Sequence, residues 1–574
     1  MVIGMHLRKN ANKKTGRTYL SIVHGYRDKD SKKSKSVTIN SLGYVDELRK
    51  EFPDPVAHFE QVVKEMNEKE RLDNTPVTFT VDTSERLNQD SANRKNFGYA
   101  AISKIYHELK LDTFFTNRQR YLKADYNTNS IMKLLVFSRL LNPSSKKKAF
   151  EGKDRFFEKN DFSLDDLYRS LSHFNKHGED AQLWIHNQIT EQYKRDTKLV
   201  YYDVTNYYFE TDKPDELRRK GVSKEHRPNP IIQMGLAMDT MGIPIAYKLF
   251  KGNESDKTTL IPMLKELRRK YNLGRIIVVA DKGLNTGDNI HYNTFRKNGY
   301  VFSQTVRGAN AELKSYVLNE NGYEWYGKDY KRKSRIYPRE ITFSDNGVSK
   351  TETACEKQVV FYSRDYDVRA KAERAPVITK AMDLIQNPGK YKKANSYGAA
   401  NYIKDLVFDK KTGEIIIAGH KPSLDLEKLK KEEEFDGYYA IVTSEYEETD
   451  EHIIDMYRGL WRIEESFKVT KSDLETRPVY LSLEDHIRAH FLTCFIALVI
   501  ARVLQHRIAN KFSVTRIMES LNKVSCSHIE QNYYLFDYCD EVTEAVGSAL
   551  GIDFGNKYMK LGDIKKILGE IKKG

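Results

Sequence analysis

Apolar positions recur along this chain with three different spacings, and the changes of spacing mark its parts. Residues 18–23 and 35–39 alternate as short strands on either side of a polar turn at 28–34. Residues 55–72 are charged and helix-like, and 75–90 read as a strand followed by a linker. From about 98 to 191 the apolar positions fall at helical intervals. The clearest run, 131–141, stops at Asn142-Pro143, as a helix should before a proline.

From 198 onward strands and helices alternate. The run 198–203 reads as a strand, and 233–239 and 243–250 flank Thr240-Met-Gly242 as a hairpin. An amphipathic helix at 258–271, a buried strand at 276–281, a helix at 288–297 and a strand at 300–306 follow. That order predicts an α/β fold with a mixed sheet. Between about 308 and 435 the chain turns polar and rich in Lys and Tyr, with strand candidates such as 358–362, and predicts an inserted, strand-containing subdomain. The α/β pattern resumes at 437–443, with a long helix at 451–471 and another at 485–506. The longest apolar stretch, 491–500, is about half the length of a membrane span, so a buried core helix and no membrane partner are expected.

A chain of 574 residues is long enough for several domains, and 39% hydrophobic residues exclude a mostly disordered protein. Lys and Arg number 95 against 81 Asp and Glu, a formal charge of +14, which points to a polyanionic partner, nucleic acid being the commonest. Cys355, Cys494, Cys526 and Cys539 form no C-x-x-C pair, which excludes a disulfide framework and a zinc ribbon. No apolar run stands behind Arg8 and Lys9, so no secretory signal is expected and a cytoplasmic protein is.

Two carboxylates close apolar strand runs: Asp203 follows 199–202 and Asp281 follows 276–280. Carboxylates brought together at strand ends repel one another, and a hard divalent cation such as magnesium or manganese removes the penalty. Each Asp on its own could equally be a turn or cap residue. A third carboxylate, Glu464, lies seven residues from both Tyr457 and Lys471, with Lys468 four residues on, all along one helical face. An acid, a phenol and two ammonium groups in a stripe suit a metal-bound phosphodiester, while an ordinary Glu464–Lys468 ion pair on a solvated face uses the same spacing. Trp461, Ile463 and Phe467 read as core.

These blocks, taken in order, resemble the DDE transposases of bacterial insertion sequences. Tyr201-Tyr-Asp-Val-Thr-Asn-Tyr-Tyr-Phe-Glu is similar to the first catalytic-Asp block. The 223–239 block, Gly242-Ile-Pro, Lys251-Gly-Asn-Glu-Ser-Asp and Val278-Val-Ala-Asp-Lys-Gly-Leu continue the match. Residues 457–471 resemble the Tyr-Arg-Glu-Lys signature of the cut-and-paste, hairpin-forming branch, extended by Arg477-Pro-Val-Tyr and the 486–491 block. Tyr457, Glu464 and Lys471 fit that signature. Its Arg position holds Leu460, so no Arg role is carried there, and Arg458 and Arg462 stand nearby as other sources of charge.

The resemblance implies an RNase H-like mixed sheet flanked by helices, interrupted by a β-rich insertion, with N-terminal strand and helical regions and a helical C-terminus. It divides the chain into a strand-rich region and linker (1–94), a helical DNA-end-binding domain (95–195), core (196–307), insertion (308–435), core (436–510) and helical C-terminus (511–574). It implies Asp203, Asp281 and Glu464 as ligands of two divalent metal ions, magnesium with manganese as the substitute, and no nucleotide cofactor. DNA contacts are implied for Tyr457 and Lys471; Lys468 joins them by helical spacing and Arg462 as a nearby charge that the signature does not license, and Trp325 of the insertion could stack on an extruded base or serve as a local hydrophobic anchor. The basic clusters 8–17, 142–148 and 330–335 are candidate phosphate contacts. The implied activity is cut-and-paste movement of an element by DNA cleavage and strand transfer at its terminal inverted repeats. Element ends and target DNA would be the partners, and a homodimer would pair two ends. A metal-dependent nuclease that never joins strands, or a non-catalytic DNA-binding protein derived from a transposase, would carry many of the same residues.

Overall fold

In a computed structural model, residues 3–11, 16–27, 34–73, 78–79, 84, 86, 93–120, 122–224, 228–391, 396, 398–408, 415–416 and 422–573 are described. The described chain falls into two compact units, 1–89 and 90–574. In the first, β1 (Ile3–Ala11), β2 (Thr18–Arg27) and β3 (Ser34–Tyr44) pair antiparallel in that order. β2 buries Leu20, Ile22 and Val23. Helix Pro55–Asp73 is pinned to β1 by Asn67, whose side chain both accepts from the Met5 N–H (2.8 Å) and donates to the Met5 carbonyl (2.7 Å). β2, β3 and this helix stand where the apolar spacing put them, and β1 is an addition. Of the turn at 28–34, residues 28–33 lie outside the described residues, as do 12–15 of the basic run 8–17 and most of 75–90. Within that run, Lys9 is paired with Glu60 (2.7 Å) and Arg17 with Asp46 (2.7 Å) and Glu47 (2.5 Å).

The second unit opens with β4 (Arg94–Asn96) and six helices from Tyr99–Glu108 to Gly178–Tyr193. Among the described residues its largest sheet has nine strands: β5 (Leu199–Tyr208), β6 (Ile231–Met238), β7 (Pro244–Lys251), β8 (Ile277–Ala280), β9 (Gly299–Gln304), β10 (Glu324–Tyr326), β11 (Tyr330–Asp345), β12 (Val348–Ser363) and β13 (Tyr438–Thr443). Their order is β10-β11-β12-β13-β9-β8-β5-β6-β7. β5, β6 and β7 meander antiparallel, β5, β8 and β9 run parallel, and the remaining pairs are antiparallel. This is the RNase H-like mixed sheet expected, with helices on both faces.

β5 explains the layering. Val200, Tyr202 and Val204 face one core, packed with Leu260, Met263, Leu264 and Leu267 of helix Leu260–Lys270. Tyr201 and Tyr207 face the other core, which contains the helical region and helix Glu484–Arg507. That 24-residue helix is long and apolar enough to cross a bilayer, yet 94% of its apolar window is buried inside the unit. It is the core helix that 491–500 predicted.

Three differences from the sequence expectations have physical causes. The insertion's strands are not a separate layer: β11 and β12 form a hairpin of two 16-residue strands, and Lys357–Tyr362 of β12 pair with β13, so the insertion widens the main sheet. It also carries a 23-residue helix, Arg364–Gln386. Second, the helix expected over 451–471 breaks at Gly459-Leu460 into Asp450–Arg458 and Trp461–Lys468, followed by a π-turn, Val469–Asp473. A Cβ on Gly459 would stand 1.8 Å from the Tyr201 hydroxyl, so only glycine lets the chain pass that ring. Third, the C-terminal part is helical as expected but adds β14 (Ser525–His528), β15 (Tyr533–Phe536) and β16 (Tyr558–Lys560), ordered β16-β15-β14-β4. Strands of three or four residues are too short to show a period.

The turn between β6 and β7 is tied to the helical region by a fully buried ion pair, Arg195 Nε to Asp239 Oδ2 at 2.7 Å. The other Asp239 oxygen accepts from the N–H groups of Met241 and Ile243, both at 2.9 Å. Gly242, at φ +80°, supplies the left-handed residue this turn needs.

Candidate active site

Parallel pairing of β5 with β8 aligns Tyr201 with Val279. Continued by two residues, the same register sets Asp281 level with Asp203. Both side chains stand on the face of Tyr201 and Val279, because strand side chains alternate. Asp203 is not at a strand end, since β5 runs on to Tyr208; Asp281 directly follows β8. Helix Trp461–Lys468 runs alongside this face. Gly459 packs on Tyr201, and the Tyr207 hydroxyl shares a 2.8 Å hydrogen bond with Thr470. Glu464 lies between those two anchors.

The next residue shows why Glu464 is left over. Glu465 accepts from the buried Arg502 guanidinium of helix Glu484–Arg507 (2.9 Å), which also donates to Ser466 Oγ. Glu464 points elsewhere, is exposed, and among the described residues makes no ion pair with Lys468 or any other cation. The surface pair that the spacing also allowed is therefore absent.

The three carboxylates feel one another. Burial, with the charges of Asp281 and Glu464 adding to it, pushes Asp203 up to about 6, against the pull of Lys224 and of the Val204 N–H (2.7 Å). Glu464 is raised by partial desolvation of its carboxylate and by the charge of Asp281. Asp281 accepts from Ser303 Oγ at 2.8 Å and from the Tyr457 hydroxyl at 3.4 Å. Burial and the nearby carboxylates lift the Tyr457 phenol well above its usual range, so it stays a donor.

An oxygen-only set of carboxylates, opposed by the Lys224 ammonium at Asp203, suits a hard divalent ion. Among the described residues no group of three or more His, Cys, Asp or Glu side chains closes to metal-holding distance, so the carboxylates converge without completing a coordination shell.

The remaining sequence candidates divide. Lys471 sits in the π-turn with Nζ 5.8 Å from the Tyr207 ring, and Lys468 is exposed one turn after Glu464. Arg462 lies against Gly459 and Tyr201 and beside Gly242, so of the two nearby arginines it is the one packed by β5. Arg458 pairs with Asp455 at 3.4 Å. Trp461, expected in the core with Ile463 and Phe467, is 55% exposed. Trp325 is not brought to the carboxylates. It is on β10, the outermost strand, five places from β8, or about 24 Å at the usual strand spacing, with Lys331 Nζ 5.1 Å from its ring. Within the 330–335 cluster Lys331 is bonded to Glu320 and Arg335 lies on Tyr316. Ser303 and Lys224 were not singled out from sequence. Ser303 was legible only as an alternate position on a predicted strand, and Lys224 only as one lysine within a matching block.

Because Ser303 holds Asp281 more tightly than Tyr457 does, Tyr457→Phe is expected to slow the chemistry at these carboxylates only about three- to tenfold, the worth of one modest hydrogen bond. Single-turnover rates would check this, and a thousandfold loss would make Tyr457 a direct participant.

Residues 209–500 match the family model described as the transposase DDE domain, and residues 7–76 match that of the IS1634 family transposase N-terminal domain. The first match contains Asp281 and Glu464 and begins six residues after Asp203. No curated protein matches the chain. Among solved structures it is similar to piggyBac transposase in a synaptic complex with hairpin DNA, at 9% identity over 82% of each chain and a TM-score of 0.34. It is also similar to Mos1 transposase in a paired-end complex with the left transposon end, at 15% identity over 38% of this chain and 60% of the other, with a TM-score of 0.11. At those TM-scores neither likeness carries an argument.

Proposed function

The chain belongs to the DDE transposases, enzymes that cut and move DNA, and from that premise we propose that Asp203, Asp281 and Glu464 are its catalytic carboxylates. The observation that supports this reading is their convergence from β5, β8 and the Trp461–Lys468 helix, with Asp203 raised to about 6 beside the other two.

The three would hold two divalent ions, magnesium or manganese, which when bound supply activation of the attacking hydroxyl and stabilisation of the leaving oxygen. The chain's own groups do the rest. Ser303 and Tyr457 orient the Asp281 carboxylate through donated hydrogen bonds. Arg462, Lys468 and Lys471 line the approach with cationic heads suited to phosphate oxygens. Water attack at the element end releases a 3′-hydroxyl, which then attacks another phosphodiester, first on the opposite strand to give a hairpin and, after opening, in target DNA. Each step exchanges one phosphodiester for another or for water, so no nucleotide cofactor is required. The 95–195 region reads the terminal repeats, and a homodimer pairs two ends in the bacterial cytoplasm.

A cleavage and strand-transfer assay on DNA carrying the gene's flanking ends, with magnesium and with chelator, tests this. Nicks at the ends and joined products, both lost in chelator, are expected. Cleavage without joined products would instead mark a nuclease.

The raised Asp203 adds a pH dependence. A proton on this carboxyl competes with the metal for it, so the magnesium concentration needed for half-maximal cleavage should rise as pH drops toward and below about 6. Stability runs the other way. The shift from the ordinary 3.8 favours the folded state at low pH, and that benefit is lost as pH rises through about 6. Asp203→Asn, inactive, should therefore be more stable than wild type in chelator at pH 7.5, by about 2–3 kcal/mol. Thermal denaturation of both proteins would show it. An Asn variant less stable than wild type would mean that Asp203 is held by contacts rather than strained by its neighbours.

A further inference from the structure

Away from the carboxylates, a cavity of about 190 Å³ opens between helix Thr128–Leu141, helix Lys146–Glu151, the 475–481 segment and helix Glu484–Arg507. Its volume is about six waters' worth at ~30 Å³ each. Arg139, Lys146, Arg477 and His490 line it, and exposed Ser145, Glu475 and Tyr480 stand at its mouth.

The cations are built in rather than laid on the surface. Arg139 is 7% exposed and Lys146 6%. Arg139 donates to the carbonyls of Leu474 (3.1 Å) and Ser144 (2.9 Å), which fixes its guanidinium, while its buried Nε–H has no partner among the described residues. The buried Ser144 hydroxyl also has none. Lys146 Nζ donates to His490 Nδ1 at 2.6 Å, and His490 Nε2 donates to the Thr476 carbonyl at 3.1 Å. Burial holds His490 far below its usual range, so it is a neutral acceptor toward the lysine. Burial and the charge of Arg139 pull Lys146 down to about 7. Glu475 is the one carboxylate of the lining and forms no ion pair with Arg139 or Lys146 among the described residues. Orphaned buried donors beside buried cations form a site short of an anion.

The cavity is also tied to the active-site strand. The Val479 N–H donates to the Tyr208 carbonyl at 3.3 Å, and Val479 bridges Phe209. Tyr208 is five residues beyond Asp203 on β5, about 17 Å at the usual strand rise, or roughly five base-pair steps of duplex. Exposed Lys147 and Lys148 flank the mouth.

We propose that this cavity seats a backbone phosphate of the bound DNA, upstream or downstream of the scissile bond, through Arg139, Lys146, Ser144 and, on its partly exposed wall, Arg477. The proposal rests on the reading of the chain as a DNA-cutting transposase. Such a seat would fix how far the strand runs between its anchor and the carboxylates.

Salt-dependent binding of a labelled duplex carrying the element end tests it, with full-length wild type, Lys146→Met and Arg477→Gln each confirmed as folded by circular dichroism. Both variants should bind about five- to tenfold more weakly, and the slope of log affinity against log salt should shrink by about 0.9 for each phosphate left without its cation. Arg477→Gln, on the partly exposed wall, keeps the test decisive if the Lys146 variant does not fold. Wild-type affinity and slope in the folded variants would overturn the proposal. A thermal shift by inorganic phosphate, at constant ionic strength, seen in wild type but not in Lys146→Met, with DNA slopes unchanged, would also overturn it, because the cavity would then take a free anion. Failure of wild type to bind any duplex would strike the transposase reading itself.

Discussion

Glu464→Gln is expected to reduce cleavage and strand transfer by about a thousandfold or more while the protein still binds element-end DNA. The amide keeps the size of the side chain and removes its charge. Loss of a ligand that helps stabilise developing phosphoryl charge is worth several kcal/mol, and each 1.36 kcal/mol is a tenfold change in rate. Binding should hold or tighten slightly, since an exposed negative charge is removed from the approach of a polyanion. Glu465→Gln is the companion variant. Its carboxylate is committed to buried Arg502, so its loss should lower the melting temperature and leave the chemistry standing. Single-turnover assays and thermal denaturation of the two variants separate the roles. Wild-type cleavage by Glu464→Gln would remove it from the site.

The pairing of those outcomes shows what the sequence could and could not reveal. Glu464 and Glu465 are adjacent and chemically identical, so composition cannot rank them. The seven-residue spacing from Tyr457 favoured Glu464, and the structure adds that Arg502, almost forty residues on, claims the other. β5 and β8 were legible as apolar runs, because a strand buried on both faces leaves a continuous hydrophobic signal. Their alignment was not, since register between strands 78 residues apart is set by packing and not by local pattern. The broken helix escaped for a similar reason. Gly459 looks like a tolerable helical glycine until the Tyr201 hydroxyl is placed beside it. The strands of the insertion were seen only in part because β11 and β12 are polar on their exposed positions and β12 completes its pairing on β13, which lies beyond the insertion. Trp325 was placed by analogy and not by any period, and it is the site candidate that the fold leaves farthest from the carboxylates. Lys146 was legible only as part of the basic cluster 142–148, whereas burial, which no single-residue property encodes, sets it apart from Lys147 and Lys148.

The largest loss of stability from a single polar substitution is expected at Asp239, far from any reacting atom. Asp239 and Arg195 are both fully buried and bonded at 2.7 Å. Arg195 reaches further, donating to the Pro244 carbonyl (3.0 Å) and lying 3.1 Å from His186 Nδ1, while Asp239 closes the β6–β7 turn through two backbone N–H groups. Asp239→Ala strips the charge partner from a guanidinium that cannot lose its proton and orphans both turn donors. Removing one member of such a pair costs about 3–5 kcal/mol. Asp239→Asn, which can keep an acceptor in the turn, should cost less. Arg195→Met with Asp239→Ala should recover part of the loss, because no uncompensated charge remains. Denaturant unfolding of the three variants measures this, and a single Ala variant within about 1 kcal/mol of wild type would show that water or a neighbour replaces the carboxylate. The cost would reach function through the sheet. β6 pairs along β5 with Leu236 opposite Asp203, so a loosened β6–β7 turn frees the strand that carries the first carboxylate. Residual cleavage by the Asn variant should therefore fall with rising temperature well before the wild type does, an instability of the scaffold and not of the chemistry.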